Sequence, residues 1–575
     1  MSAPSTMHAP CQFAALAIVL TVLAASAAHA AERNPPTPNR VGRSVVMAPH
    51  GMVATSHPLA AQVGLDVLKK GGNAVDAAIA TNAAMGLMEP MSCGIGGDLY
   101  AIVWDAKTQK LYGLNASGRS PYKATRAWFA EHKLQAIPAT GPLSWSVPGC
   151  VDGWAELQKR FGSRPLAELL EPSVRYAEEG FPVTEVIAGY WRASEKKLRQ
   201  YPDASRTYLP RDQAPRAGDV FKNPRLARSY REIAQFGRDG YYKGRIAHDI
   251  VAFSARNDGL FTQQDFSEHT STWVEPVSTN YRGYDVWEIP PPGQGIAALQ
   301  MLNILEGYDL KKMGPRSADY WHLFLEAKKL AYADRARFYT DPAFAKVPVQ
   351  ELISKSYADE RRRLIDMQRA LTRVDAGAPL HGDTIYLCVV DKDRNCVSLI
   401  QSNYSGFGSG LVPGDLGFAL QNRGTLFALD ANHANRLEPH RRPFHTIIPA
   451  LVTKEGKPWF VFGVMGGDMQ PQGHVEVLCN LIDFGMNVQE AGEAPRLEHV
   501  GSATPTGRRA DADGGTVQAE RGISASVIDD LERRGHHIRP VRTNGGGYQG
   551  ILIDPRTNML HGGSEARKDG GAVGY

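Results

Sequence analysis

The spacing of apolar and polar positions changes character along the chain. Over residues 59–68 apolar residues recur at helical intervals behind Ser56-His57-Pro58, and Gly71-Gly72 stops the run, which predicts a helix opened by proline. Asn73 stands where an N-cap belongs, and residues 74–88 are so rich in Ala, Ile and Leu that the helix they predict is buried on most sides. Past the turn Gly94-Ile95-Gly96-Gly97, residues 99–104 and 111–114 predict two strands of a hairpin. The stretch from about 150 to 275 is mainly helical in pattern and rich in Arg, Glu and Tyr, as a covering layer would be. A strand is predicted at 284–289, an apolar helix at 296–305 and an amphipathic helix at 320–339. After a polar connection at about 361–381 the period shortens, and residues 384–390 and 396–401 predict the clearest hairpin of the chain. Further strands are predicted at 447–452, 459–464 and 550–554. Helices laid on buried hairpins in both halves predict a layered α/β sandwich.

Composition narrows the class. The 575 residues are 43% hydrophobic and 22% charged, values of a folded chain rather than a disordered one. Lys and Arg number 64 against 60 Asp and Glu, with both signs interspersed, so there is no basic footprint for nucleic acid or an anionic membrane. The expected partner is a small molecule. Residues 1–30 form a predicted signal peptide: an apolar run from Phe13 ends in small residues, with Ala28-His29-Ala30 as the cleavage signal, although no Lys or Arg precedes it. The run is shorter than the ~20 residues of a spanning helix, so the expected location is periplasmic or secreted, without a stable membrane anchor. Cys93, Cys150, Cys388, Cys396 and Cys479 contain no C-x-x-C and indicate neither a disulfide framework nor a zinc site. Cys388 and Cys396 flank a polar turn, which leaves one cross-strand disulfide open.

Familiar motifs are few. Gly293-Gln294-Gly295-Ile296-Ala297-Ala298 fits a dinucleotide fingerprint, but three prolines precede it and no acidic residue ends a second strand, so it predicts a tight turn into a core helix. Neither G-x-S-x-G nor H-E-x-x-H occurs. At His381-Gly382-Asp383-Thr384 a polar segment ends on a threonine that starts a strand. A threonine hydroxyl is a poor nucleophile until a base stands beside it. Cutting the Asp383–Thr384 bond would make the α-amine of Thr384 that base, with an ordinary pKa of about 8.

Lys70-Gly71-Gly72-Asn73-Ala74-Val75-Asp76-Ala77-Ala78, Pro290-Pro291-Pro292 with Gly295, the segment HLFLEAKKLAYADR at 322–335, Met465-Gly466-Gly467 and the ending Asp569 to Tyr575 keep company with His381 to Thr384. On these segments the chain resembles the gamma-glutamyltranspeptidase family of N-terminal nucleophile hydrolases. The resemblance implies a four-layer αββα sandwich of α and β elements and one precursor that cuts itself before Thr384. A large subunit, 31–383, and a small subunit, 384–575, would then form a heterodimer around one site, with no metal or organic cofactor. It makes Thr384 the nucleophile, Ser402 the hydroxyl that supports it, and Gly466 and Gly467 the backbone donors of the oxyanion hole.

The family's γ-glutamyl ligands do not carry over. Ser117 stands where the family has an Arg, with Arg119 two residues on, and Tyr404, Arg423 and Leu426 replace an Asn, a Gln and an Asp. His445-Thr446 replaces a pair of serines. Losing a carboxylate and gaining Arg423 repels an ammonium. Arg423 and His445, with Arg119, suit an acyl group that carries a carboxylate and no amine, as in acylase-like branches resembling cephalosporin or glutaryl acylases and oxamate amidohydrolase. The structural alternative for Arg423 is an interior salt bridge to Asp415 or Asp430. The expected function is an exported, self-processing threonine amidohydrolase acting on a small acyl amide. The alternatives are γ-glutamyl hydrolysis or transfer, as on glutathione, and an inactive binding protein that keeps the fold.

Overall fold

Two seven-stranded antiparallel sheets carry the fold in a computed structural model that describes residues 42–372, 383–507, 509–543 and 546–575. The described residues from Ser44 onward belong to one unit, Ser44–Tyr575; of the unit before it, Met1–Arg43, only Gly42 and Arg43 are described. In the first sheet the strands run in the order Gly571–Gly574, Met52–Thr55, Asp383–Val390, Cys396–Tyr404, Asp98–Asp105, Lys110–Ala116 and Thr272–Val274. The second runs Val46–Ala48, Leu560–Ser564, Tyr548–Ile553, Lys457–Val464, Ala450–Lys454, Tyr284–Glu288 and Val277–Tyr281.

The two-residue period of each strand sorts its side chains between two cores. Ile385, Leu387 and Val389 pack among the helices Pro58–Lys69, Ala74–Met88 and Cys150–Phe161, whereas Tyr386, Cys388 and Val390 enter the layer between the sheets. In the second sheet Phe460, Phe462 and Val464 face the helices Gly295–Leu305, Ala318–Phe338 and Met469–Ile482, while Val461 and Met465 face the first sheet. Both sheets are therefore covered on both faces, in the order helix, sheet, sheet, helix. The expected four-layer sandwich is the observed one.

Helices whose ends are written locally form where the pattern predicts. The His57 side chain accepts from Leu59 N at the start of Pro58–Lys69, and Asn73 closes a capping box with Asp76 at the start of Ala74–Met88. The strand predicted at 447–452 begins only at Ala450, because Ile448 N is taken by Gln470 Oε1 at 3.0 Å instead of a neighbouring strand. Val46–Ala48, Met52–Thr55 and Gly571–Gly574 are too short to show a period, and tertiary pairing alone makes them strands. The open disulfide is not formed: Cys388 stands opposite Ser398 and Cys396 opposite Val390, and both are buried free thiols. The glycine turn at 293–295 leads, as expected, into a wholly buried core helix. The expected signal peptide, His381 and Gly382 lie outside the described residues, among which no helix is long and apolar enough to cross a membrane.

The sheets touch closely where Gly463 of one meets Tyr386 of the other, and a Cβ there would come within 2.5 Å of the ring. Gly463→Ala is expected to destabilise the protein by about 1–3 kcal/mol through overpacking. The denaturant midpoint measures this, and an unchanged midpoint would contradict so tight a contact.

Candidate active site

Thr384 and Ser402 lie on neighbouring strands, and both share the parity that points into the layer between the sheets. Thr384 is buried and its hydroxyl donates to Ser402 Oγ at 3.2 Å; the same oxygen accepts from Tyr404 N at 2.8 Å. The strand Asp383–Val390 is continuous through the Asp383–Thr384 bond, so this is the geometry of the uncut chain. The pairing register shifts between Asp383 and Ile385, an irregularity that falls on the residue expected to act.

One strand further, Asp98 pairs in register with Ser402 and points into the same layer. Its Oδ1 accepts from Gly118 N and Gln421 Nε2, both at 2.9 Å, and its Oδ2 lies 3.0 Å from His445 Nε2. The His445 ring also packs on Tyr100, with centroids 5.2 Å apart. Burial, reinforced by repulsion from Arg423, pushes the His445 ring down to about 4, so it is neutral near pH 7.

Arg423 occupies a short turn, Arg423–Leu426, and is fully buried. Nη1 donates to Thr446 Oγ1 at 2.8 Å, and the guanidinium lies 4.7 Å over the ring of Tyr404. Its Nε and Nη2 are buried and have no hydrogen-bond partner. Burial lowers the guanidinium from its ordinary value while Asp98 opposes the shift. The alternative ion pairs are not made: Asp415 takes Arg225 and Arg206, and Asp430 Oδ1 accepts from Asn432 N. Tyr404 holds φ at +77°, a strained conformation for a large side chain, directly beneath that guanidinium.

Gly466 and Gly467 form the turn between the strand Lys457–Val464 and the helix Met469–Ile482, with φ of +109° and +57°. A Cβ on Gly466 would meet Gly546 N at 2.7 Å, so glycine is required for close approach as well as for φ. The strand that leads to this turn carries Gly463, which packs on Tyr386, two residues from Thr384. Helix N-termini present backbone N–H groups and a favourable dipole to negative charge.

The structure thus brings Thr384 to Ser402, and Arg423 to Tyr404 and Thr446, with His445 beside Asp98. Arg119 turns away: its Nη1 donates to Thr270 O at 3.0 Å, a carbonyl it shares with Arg442 Nη2 at 2.9 Å. Asp98, which sequence reading did not single out, stands beside His445 on the strand next to Ser402. Asp98 carried one signal, a carboxylate at the inward parity of a strand. Among the described residues one cluster, His322, Glu326 and His536, has ligand atoms within 4.8 Å of one another. His322 bonds His536 at 2.8 Å, and Glu326 takes Lys329 Nζ and Leu371 N, both at 2.9 Å.

Two stacked sheets between helices, with a hydroxyl at the inner start of a central strand, define the class of N-terminal nucleophile hydrolases. The structure matches that of cephalosporin acylase from Bacillus halodurans with a TM-score of 0.86 and 44% identity, over 95% of this chain and 99% of that one. The chain belongs to the gamma-glutamyltranspeptidase family, whose model matches residues 60–575. It is 38% identical over 527 residues to the glutathione hydrolase-like YwrD proenzyme of Bacillus subtilis (strain 168), covering 91% of this chain and 98% of the relative. It is 35% identical over 539 residues to the acylase ACY 1 proenzyme of Pseudomonas sp. (strain V22), covering 91% and 93%. With such relatives this chain is an enzyme, a hydrolase of that family.

His445 provides a test of the buried electrostatics. Unfolding returns the ring to water, where it binds a proton below about pH 6.5, while in the folded protein it stays neutral to about 4. Its contribution to stability is therefore lost as pH falls from 6.5 to about 4, by up to about 3 kcal/mol at 1.36 kcal/mol per unit. His445→Gln is expected to flatten the stability curve in that window, measured by urea unfolding at successive pH values; a parallel curve would show that His445 does not titrate this way.

Proposed function

We propose that the chain is the precursor of an exported threonine amidohydrolase that cleaves a small acyl amide whose acyl group carries a carboxylate. The carrying observation is Arg423: a buried guanidinium with one edge fixed on Thr446 and two N–H groups without partners. Leaving such donors unpaired in a protein interior is costly, and a carboxylate accepts two parallel hydrogen bonds from an arginine. The neighbouring His445 is neutral and brings no second charge, and Arg119 is directed elsewhere, so Arg423 is the cation that would meet the substrate.

Cleavage between Asp383 and Thr384 would free the amine of Thr384. In turnover that amine takes the proton of the Thr384 hydroxyl, whose oxygen attacks the amide carbonyl. The tetrahedral oxyanion is held by the N–H groups of Gly466 and Gly467, and donors of this kind are each worth about 2.7–4 kcal/mol. The amine passes its proton to the leaving nitrogen, and water then releases the acyl group from the ester. Ser402, already an acceptor for Thr384, keeps the hydroxyl aimed. Both sheets draw strands from either side of residue 384, which supports two fragments, 31–383 and 384–575, held as one body. Residues 1–30 would be removed on export to the periplasm or medium.

A second reading, γ-glutamyl hydrolysis or transfer, is favoured by one feature, the buried Asp98 Oδ2, which has no aligned donor and could receive an ammonium. It is the weaker reading because His445 Nε2 already stands 3.0 Å from that oxygen and Arg423 faces it.

Thr384→Ala is expected to leave a single chain on a denaturing gel with no amidase activity; two fragments cut at 384 in that variant would defeat the mechanism. Arg423→Leu is expected to lower kcat/KM for a glutaryl anilide by about 10- to 100-fold, as the loss of a charged hydrogen bond implies, with little change for a butyryl anilide. Faster turnover of a γ-glutamyl than of a glutaryl anilide by the parent would overturn the specificity and favour the second reading.

A further inference from the structure

Gln294 lies in the turn between the strand Tyr284–Glu288 and the helix Gly295–Leu305, and its side chain is fully buried. Its Nε2 donates to two carbonyls at once, Thr446 O at 2.7 Å and Gly467 O at 2.8 Å. Its Oε1 accepts from Arg335 Nη1 at 2.5 Å, and since a guanidinium only donates, this contact decides which end of the amide faces the carbonyls. Arg335 is itself fixed by Asp468, the residue after Gly467, at 2.7 Å, and stacks 3.9 Å over Tyr332. The same turn holds the other loop a second time, through His445 N to Pro292 O at 2.8 Å.

The two carbonyls belong to loops with different duties. Thr446 fixes Arg423 through its hydroxyl, and Gly467 adjoins the N–H donors for the oxyanion. Tying the Gly467 carbonyl fixes the plane of the Gly467–Asp468 peptide, which follows the donors and limits the turn at a glycine whose own backbone is unrestricted. A substrate anchored by its carboxylate at Arg423 must deliver its carbonyl to Gly466 and Gly467, so the separation of these loops decides whether anchoring becomes alignment.

We propose that Gln294 is a positioning residue that sets the separation and orientation of the acyl-carboxylate loop and the oxyanion loop, a role that rests on the amidohydrolase reading above. It does not touch substrate; it acts through Thr446 and Gly467. Gln294→Met keeps the length of the side chain and removes the shared donor. In the cleaved variant, with rates normalised to the cleaved fraction, kcat for a glutaryl anilide falls about 10- to 100-fold, and the melting temperature stays within about 5 °C of the parent. The readout that a merely structural role would not move is a double-mutant cycle: in the Gln294→Met background, Arg423→Leu lowers kcat/KM at least about fivefold less than it does in the parent. Additive losses, or a kcat within about threefold of the parent, overturn the proposal. Should Gln294→Met yield no cleaved protein, Gln294→Glu, which keeps the Arg335 contact and presents acceptors to both carbonyls, is read by the same criteria. Failure of both variants to fold makes Gln294 a folding residue and rejects the proposal. A parent that cleaves no amide, or a Thr384→Ala variant that does, overturns the amidohydrolase reading itself and the inference with it.

Discussion

The meeting of Thr384, Ser402 and Asp98 depends on the alternation of side chains along three adjacent strands. Because each strand of the first sheet is covered on both faces, a residue has only two destinations, the helical layer or the space between the sheets. Thr384, Ser402 and Asp98 share the second destination and stand on consecutive strands. A slip of one residue in the strand Asp383–Val390 would send Thr384 under the helices and place Ile385 in the site. The large buried side chains of both cores oppose that slip, so the chemistry inherits its precision from packing that has no chemical role.

Inside this frame the charges are few and each is answered. Asp98 is balanced by Arg423 and by Arg442 nearby, and His445 is held neutral between them. What is left over is a pair of N–H groups on Arg423 and, on Asp98, one oxygen without an aligned donor. The polarity of a small buried site is set by such remainders, since a low-dielectric surrounding magnifies any group that lacks a partner. Leu426, in the same short turn as Arg423, and the strained Tyr404 beneath the guanidinium belong to the same local arrangement.

Much of this was legible in the sequence, and what was hidden has a common cause. The helix beginning at Asn73 carries its own cap and an unbroken apolar stretch, so local chemistry determines it. The contact between Thr384 and Ser402 was legible because the family resemblance pointed to both residues and a hairpin pattern set them at its open end. The edge strands Val46–Ala48 and Gly571–Gly574 have no pattern of their own and exist only because partners distant in sequence present an open edge. Asp98 looked like the polar end of a strand, and Gln294 like filler in a glycine turn. Their partners, His445, Thr446 and Gly467, lie far along the chain, and no spacing rule connects them. Arg119 shows the converse: proximity in sequence to a family position suggested a ligand, and in the structure its Nη1 donates to the Thr270 carbonyl.

The weaving of strands from both sides of residue 384 into both sheets has a consequence for how long the folded protein endures. As one chain, the molecule refolds in a unimolecular process whose loop-closure cost is bounded by the connecting backbone. Cut before Thr384, the same contacts must be regained by two separate polypeptides, neither of which owns a complete sheet, so recovery after unfolding becomes concentration-dependent. The native state would persist through a high barrier to opening rather than through an equilibrium it can re-enter. On the proposed reading the bond before Thr384 would serve as a scaffold for assembly, and the cut molecule would keep the memory of a chain that no longer exists.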